Sequence, residues 1–314
     1  MKVAILKFIT IATMLVVGLS AAQAQSTAGP NRPATVPAHY IITPFGYFHP
    51  NCVAHLAKGD ELRPDEKVIR HATGTSDKMR VCAYPHYRAN GKMVIGDEQG
   101  VKDPNINGWI EYASVTTTSS YGYLYAEWSV PPTPTSNDGQ TLYFFPGLED
   151  LNDVVTIIQP VLGWNADYPS AWGIASWNCC QSGTVFEAAP EPVNSGDTIL
   201  GYMFCSARTT TSCTSWDIVT WDLQNGKFSQ LINTSSFGQT FNWAFGGAVE
   251  VYNIKQCTDY PSGSHALSFH EIGLYDQNFV QIANPNWTVT NLSSGLTPQC
   301  GYGGSLSNQV ILNY

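Results

Sequence analysis

The 314-residue sequence predicts an all-β protein, an antiparallel two-sheet β-sandwich behind a small N-terminal segment. Three observations lead there. Beyond Trp109, short runs rich in β-branched and aromatic residues recur between clusters of Gly, Pro, Asn, Asp and Ser. No helical period of apolar residues is sustained across that region. No unit of ~20–50 residues repeats, which argues against a propeller or solenoid. Strands spaced in this way bury their apolar faces as a sandwich or a barrel.

The elements follow in chain order. Lys2 and Lys7 flank the start of an apolar stretch at 8–17, and Ala22-Gln23-Ala24 forms a small-x-small site. Residues 1–24 therefore read as a signal peptide cleaved after Ala24, with a secreted or periplasmic product. The alternative is a membrane anchor, which needs ~20 apolar residues, more than this stretch supplies. Residues 25–38 are small, polar and proline-rich, a flexible leader. In 39–103, Tyr40-Ile41-Ile42 and Met93-Val94-Ile95 are expected strands, Asn90-Gly91 a hairpin turn, and 60–71 a short helix. Strands are then expected at 121–130, 141–145, 154–162, 171–177, 184–188, 198–205, 216–223, 241–254 and 266–275, with the last around Val289 and at 310–312. Residues 25–103 thus form a leader, propeptide-like segment or N-terminal subdomain, and 104–314 an acidic β-sandwich domain.

Charge separates the two units. From Arg32 to Asp103 there are ten basic and eight acidic residues; from Pro104 to Tyr314 only Arg208, Lys227 and Lys255 are basic, against sixteen acidic residues. The net charge swings from +2 to −13 at about residue 104. An acidic surface excludes nucleic acid and anionic membranes as partners, since both need positive charge. It suits work in acid, where protonation relieves self-repulsion; plain solubility is the other reading. Eight cysteines, Cys52, Cys82, Cys179, Cys180, Cys205, Cys213, Cys257 and Cys300, fit an oxidising address as disulfides. Their spacing does not suit a metal, and no metal or other cofactor is expected. Cys205–Cys213 and Cys52–Cys82 are natural pairs. The other four pair among themselves, with a direct 179–180 bond the least favoured because it strains the backbone.

The familiar catalytic signatures are missing: no Gly-x-Ser-x-Gly, no His-Glu-x-x-His, no phosphate loop, no dinucleotide fingerprint. The acidic domain offers only His265 and His270 as imidazole bases, five residues apart around an expected strand and so on opposite faces, which suits a serine or cysteine triad poorly. Carboxylates and carboxamides remain. Gln159 and Glu250 each interrupt an otherwise apolar strand, so each either faces solvent or serves a function. A Glu in a partly apolar groove has a raised pKa, which suits a base working in acid.

Several stretches resemble, in order, the glutamic peptidases of the eqolisin family. They are Glu127-Trp128-Ser129-Val130-Pro131, Phe145-Pro146-Gly147-Leu148-Glu149-Asp150, Thr156-Ile157-Ile158-Gln159-Pro160-Val161, the aromatic run from Ser170-Ala171-Trp172 to Trp177, Gly196-Asp197-Thr198-Ile199, and Ala248-Val249-Glu250-Val251. The match spans about 108–275. It departs from the family at Val251 in place of Trp, at Val161 in place of Gly, at Ile174-Ala175-Ser176, and in the added Cys179 and Cys180. The chain resembles a divergent, bacterial-type member. The neprosin-like peptidases, which use two glutamates, are a more distant second.

The resemblance implies a concanavalin-like sandwich and a secreted, monomeric acid endopeptidase acting on polypeptide. Glu250 would be the general base on water, and Gln159 would hold the water and donate to the oxyanion. Glu149 and Trp172 would support the pair or the substrate, and Trp128 would line the groove; each could equally be sandwich core. The basic segment would be an acid-labile propeptide, or else a permanently docked subdomain. Two rivals stand beside this reading: a glycan-binding, lectin-like sandwich, and a glycoside hydrolase using two carboxylates such as Glu127 and Glu250.

Overall fold

Alternation of buried and less buried residues along the strands dictates the architecture. In Tyr121–Ser129, for example, Leu124, Ala126 and Trp128 are buried while Tyr123, Tyr125 and Glu127 point the other way. The computed structural model describes residues 32–63, 68–79, 81–94, 108–152, 156–180 and 183–314. The signal-type segment with its cleavage site, most of the flexible leader, and the charge boundary near residue 104 lie outside the described residues.

The N-terminal part supplies β1 (Ile41–Thr43), β2 (Gly46–Phe48), β3 (Val53–Leu56), β4 (Glu61–Arg63), β5 (Val68–Arg70), β6 (Ser76–Lys78), β7 (His86–Tyr87) and β8 (Met93–Val94). The sandwich follows with β9 (Trp109–Thr116), β10 (Tyr121–Ser129), β11 (Thr141–Glu149), β12 (Ile157–Trp164), β13 (Trp172–Cys179), β14 (Val185–Ala188), β15 (Glu191–Val193) and β16 (Thr198–Arg208). It continues with β17 (Cys213–Asp222), β18 (Phe228–Ser235), β19 (Trp243–Tyr252), β20 (Ala266–Asp276), β21 (Thr288–Asn291), β22 (Gly303–Leu306) and β23 (Val310–Asn313).

Two large sheets face each other. One runs β21-β9-β19-β11-β12-β13-β14-β3, with β15 also on β13; the other runs β18-β17-β16-β10-β20-β23-β22. The chain is therefore an all-β sandwich. Its inter-sheet core holds Trp128, Phe144, Leu162, Trp172, Ile174, Ile199 and Val249, continuing into Leu148, Ile158, Met203 and Trp216. Close approach is built in at Gly201, where a Cβ would fall 2.6 Å from the Trp128 ring and 2.7 Å from Pro160.

The N-terminal part is not a separate lobe. β3 joins the nine-stranded sheet by parallel pairing with β14. β1, β2, β7 and β8 form a small sheet whose Tyr47, Phe48 and Tyr87 share one apolar cluster with Trp109, Tyr143, Phe145, Val161, Trp177 and Phe245 of the sandwich. The hairpin turn at Asn90-Gly91 is present, with Gly91 at φ +80° and its N–H donating to Arg88 O.

Three expectations are corrected here. Residues 60–71 contain the β4–β5 hairpin, paired Glu61↔Arg70 and Arg63↔Val68, and not a helix. Pro64 explains this: it disfavours helical backbone at Arg63, only three residues past Asp60. Asp60 instead closes the hairpin by accepting from the Ala57 and Ala72 N–H groups and bonding His71 Nδ1 at 2.9 Å. The second correction is the disulfide least favoured from sequence: Cys179 and Cys180 are bonded to each other. Cys257–Cys300, Cys205–Cys213 and Cys52–Cys82 engage the other six cysteines, so no more distant partner remains. Third, β18 was not expected. Its sequence, FSQLINTS, has the polar composition of the sheet edge it occupies.

Candidate functional site

The site lies on the outer face of the nine-stranded sheet, the face turned away from the sandwich core. Residues paired across strands share a face, and one such row crosses four strands: Gln159↔Trp177↔Glu187↔His55. On the other side of β12, the pairs Phe144↔Leu162 and Leu148↔Ile158 leave three residues on each strand between them, so Gln159 falls opposite Gly147. The same face carries Glu149, paired with Ile157, and Glu250, paired with Tyr143.

This register decides which groups meet. Glu149 is a diagonal neighbour of Gln159, a relation that sets residues roughly 7–8 Å apart. Glu250 is two strands from Gln159 and, because Tyr143 precedes Gly147 by four residues, offset by about 13 Å along the strands. The residue of β19 that does face Gly147 is Phe245. Gln159 and Glu250 thus share the face without touching. Instead Trp109 Nε1 donates to Glu250 at 3.1 Å and the Tyr252 hydroxyl donates at 2.5 Å. A cavity of about 450 Å³ opens beside these two donors, lined also by Tyr47, Asn90, Tyr260 and Tyr302.

Gln159 and Glu250 are 0% exposed and Glu149 is 5% exposed. Neither atom of the Gln159 amide has a hydrogen-bond partner, nor does Glu149 Oε2. An amide and a carboxyl left this way are costly to bury. Burial pushes the Glu149 carboxyl up to about 8. Burial also raises Glu250 well above the usual carboxylate range; the Tyr252 and Trp109 donors oppose that shift and the charge of Glu149 adds to it. In this state both acids hold protons at acid pH.

The burial comes from the N-terminal segment. Phe45 packs edge-on against Trp177 at 6.1 Å, Tyr47 against Tyr252 at 5.4 Å, and the Tyr143 hydroxyl donates to Ile42 O at 3.4 Å. Those three sandwich residues are the row partner of Gln159, the donor to Glu250 and the cross-strand partner of Glu250. The sequence left two choices for Gln159 and Glu250, solvent or function. The face is indeed turned outward, but it is covered.

Other expected site residues fall elsewhere. Trp128 and Trp172 are in the inter-sheet core, 0% and 2% exposed, so neither lines a groove on this face. Strand alternation is the reason: Trp172 and Ile174 point inward, while Ala175 and Trp177 point to the Gln159 face. Trp177 is the aromatic that sequence reasoning missed, and its parity along the strand opposite Trp172 was the available signal. Glu127 projects from the outer face of the seven-stranded sheet, so the whole core separates it from Glu250. The two-carboxylate pairing of Glu127 with Glu250 is excluded by that geometry. Asp167 and Glu187 were also missed. Both carboxyls are raised by burial, Asp167 further by the neighbouring Glu187 charge, and Glu187 Oε2 lies 2.6 Å from His55 Nδ1. Among the described residues, no three His, Cys, Asp or Glu side chains come together as a metal set, and no helix is long and apolar enough to cross a membrane.

No family model and no curated protein matches the chain. Among solved structures, the chain is similar to scytalido-glutamic peptidase bound to a peptide-based transition state analog, at 14% identity and a TM-score of 0.48, over 66% of this chain and 98% of that one. It is also similar to SCP-B, a member of the eqolisin family of peptidases in complex with the tripeptide Ala-Ile-His, at 15% identity and a TM-score of 0.47, over 66% and 98%. A weaker likeness is to tailspike protein 2 of an Escherichia coli O157:H7 bacteriophage, at 12% identity and a TM-score of 0.27, over 52% and 21%. Likenesses at this level assign no site residue.

Proposed function

We propose that this chain is an exported acid endopeptidase that hydrolyses polypeptide on the outer face of the nine-stranded sheet. The observation carrying this reading is a buried amide with both polar atoms unbonded, Gln159, beside a carboxyl with one unbonded oxygen, Glu149. Once the face is uncovered, a water fits between them. Ionised Glu149 takes the proton from that water as it attacks the scissile carbonyl, Gln159 Nε2 donates to the oxyanion, and the proton passes to the leaving amine. The sequence reading gives the base to Glu250. Register supports Glu149 for that step, with Glu250, fixed by Trp109 and Tyr252, retaining its proton farther along the same face.

Residues 32–94 act in this reading as an intramolecular plug. Aromatic packing holds it, with His55–Glu187 and Lys58–Glu191 as ion pairs across the boundary. The sign of its pH dependence follows from the raised acids. Their folded-state values exceed the ordinary glutamate value of about 4.5, so uncovering releases protons and becomes easier as pH rises from about 4.5 to 8. These carboxyls therefore oppose acid-driven release; a cut between the plug and the sandwich lets the plug leave at neutral pH, ahead of the work in acid.

The test is casein hydrolysis between pH 2 and 5 after such a cut, for wild type, Gln159→Leu, Glu149→Gln and Glu250→Gln. Wild type hydrolyses, Gln159→Leu loses ~10²–10³ in kcat, and Glu149→Gln loses more than Glu250→Gln. Hydrolysis unaffected by all three substitutions refutes the site.

A second reading rests on a different observation. Tyr123, Tyr125, Tyr202, Phe204 and Tyr275 pack ring against ring on the outer face of the seven-stranded sheet, with centroids 5.3–6.5 Å apart. Phe204 is 38% exposed and Trp221, on the neighbouring strand, 40%. Such a platform suits a glycan. Co-sedimentation with insoluble polysaccharides, lost on Tyr125→Ala, tests it.

A further inference from the structure

The proposed hydrolysis makes no use of the cavity beside Trp109 and Tyr252. That cavity lies where β9 begins and β19 ends, at the Glu250 end of the site face and away from Gln159. Two apolar clusters meet there. Tyr47, Trp109 and Tyr252 belong to the cluster of the site face, whereas Ile110 and Tyr260 belong to the inter-sheet core. One wall is the cover, through Tyr47, Ala89 and Asn90, and the rest is sandwich. The cavity is therefore complete only while the cover is seated.

Its size and lining select a class of ligand. A volume of about 450 Å³ falls within the ~300–1,000 Å³ of small-molecule sites. Five aromatic rings line it, and among the described residues of its wall there is no Asp, Glu, Lys, Arg or His. A charged ligand would leave water here with no opposite charge to meet it. Glu250, just behind the wall, does not alter this, because its carboxyl is already held by Trp109 and Tyr252 and burial keeps it protonated. One polar atom adds selection. The Tyr302 hydroxyl donates to Pro298 O at 3.3 Å, so in its 2.9 Å bond with the Tyr260 hydroxyl it accepts. The Tyr302 oxygen keeps a lone pair for one more donor.

We propose that this cavity binds a neutral aromatic small molecule carrying an N–H or O–H donor, and that the bound molecule pins the cover to the sandwich. A ligand that touches both walls binds the covered form in preference and stabilises it by mass action. The site goes beyond the peptidase reading and stands whether or not the face beneath the cover hydrolyses peptide.

The test uses the full chain at pH 7 and two fluorescent probes. N-phenyl-1-naphthylamine is neutral with one N–H; 8-anilino-1-naphthalenesulfonate has the same skeleton and a negative charge. The neutral probe binds with a Kd of about 1–10 µM, and about tenfold or more tighter than the sulfonate. Val251→Trp fills the cavity from the sandwich side and Ala89→Trp from the cover side. Each weakens the neutral probe by about tenfold or more, with the melting temperature recorded for each protein. Tyr302→Phe weakens it about fivefold, the scale of one hydrogen bond. Hydrogen exchange in the unaltered chain needs no variant: the bound neutral probe slows exchange on both walls, at Tyr47 and Asn90 and at Val251 and Asn253. Equal affinity for the two probes, no binding of the neutral one, unchanged affinity in both tryptophan variants, or protection confined to one wall overturns the pocket. Unchanged affinity in Tyr302→Phe overturns the donor requirement. Casein hydrolysis by the cut chain, measured alongside, keeps the two readings apart. Probe binding without hydrolysis sustains the pocket and refutes the peptidase, and hydrolysis without probe binding does the reverse.

Discussion

The two outer faces of the sandwich are opposites. The face of the seven-stranded sheet meets water and carries tyrosines and Glu127 at intermediate exposure, as a solvated sheet face should. The face of the nine-stranded sheet carries Glu149, Gln159, Glu187 and Glu250, more chemically expensive groups, and is sealed beneath residues 32–94. Polar groups normally go to the wet face. Here the acids and the amide sit on the dry one, partly unbonded, at a cost of roughly 1–3 kcal/mol for each unsatisfied group. A fold tolerates that where the groups serve a purpose once the cover is gone.

The strongest way to break this contrast is chemical. Gln159→Leu is expected to reduce acid peptide hydrolysis by ~10²–10³ while leaving the fold intact, because a buried apolar side chain replaces an unpaired amide. Urea denaturation should show Gln159→Leu as stable as wild type or more so; a loss above ~2 kcal/mol would mean that the amide is structurally bonded and the site reading misplaced.

Next comes the cover. Cys52–Cys82 closes a span of 30 residues entirely within it. Replacing both cysteines by serine should weaken the cover by about 2–4 kcal/mol and raise hydrogen exchange at Tyr143, Gln159 and Trp177, while the inter-sheet core strands β10 and β16 stay protected. Equal loosening of both sheets would show that the segment is part of one cooperative unit.

A smaller effect follows from protonation. Glu149 is held up at about 8 in the covered state, against about 4.5 for an ordinary glutamate. Stability of the covered form should fall between those pH values by up to about 1.4 kcal/mol per pH unit for this group, and be fully present below pH 4.5. Melting temperatures at pH 5 and pH 8 check the sign, and Glu149→Gln should flatten the slope. A rise in stability with pH, abolished by the same substitution, would reverse the electrostatic account.

The smallest effect belongs to the exposed face. Tyr125→Ala should change peptide hydrolysis less than twofold and stability only modestly, by about 0.5–1 kcal/mol for lost ring packing. Loss of hydrolysis on that substitution would move the active face to the other sheet.

Much of the sandwich was legible because its strands announce themselves by period. Residues 121–130 alternate, and 141–145 and 241–254 are dense in aromatic and β-branched side chains, as buried strands are. The polar edge strand β18 lacked that signal, and the 60–71 segment misled because charged residues favour a helix until Pro64 is weighed. Gln159 and Glu250 stood out as polar interruptions of apolar runs, and both are on the site face. Their mutual distance was not legible, because it depends on strand order and on the pairing register of β11 with β12 and β19. Trp128 and Trp172 could not be told from Trp177 without knowing which parity faces the core. The cover was foreseen as a charged leader, but its grip is aromatic, through Phe45 and Tyr47, and composition alone does not say where an aromatic side chain lands.

The most direct measurement is acid hydrolysis of denatured haemoglobin by the full chain, before and after a site-specific cut introduced within residues 95–107, with Gln159→Leu and Glu149→Gln alongside. The account predicts little hydrolysis from the intact chain, strong hydrolysis at pH 3–5 from the cut chain, and loss of it in both variants. A cut chain that opens the face, as judged by exchange at Gln159, yet hydrolyses nothing between pH 2 and 5 would contradict it.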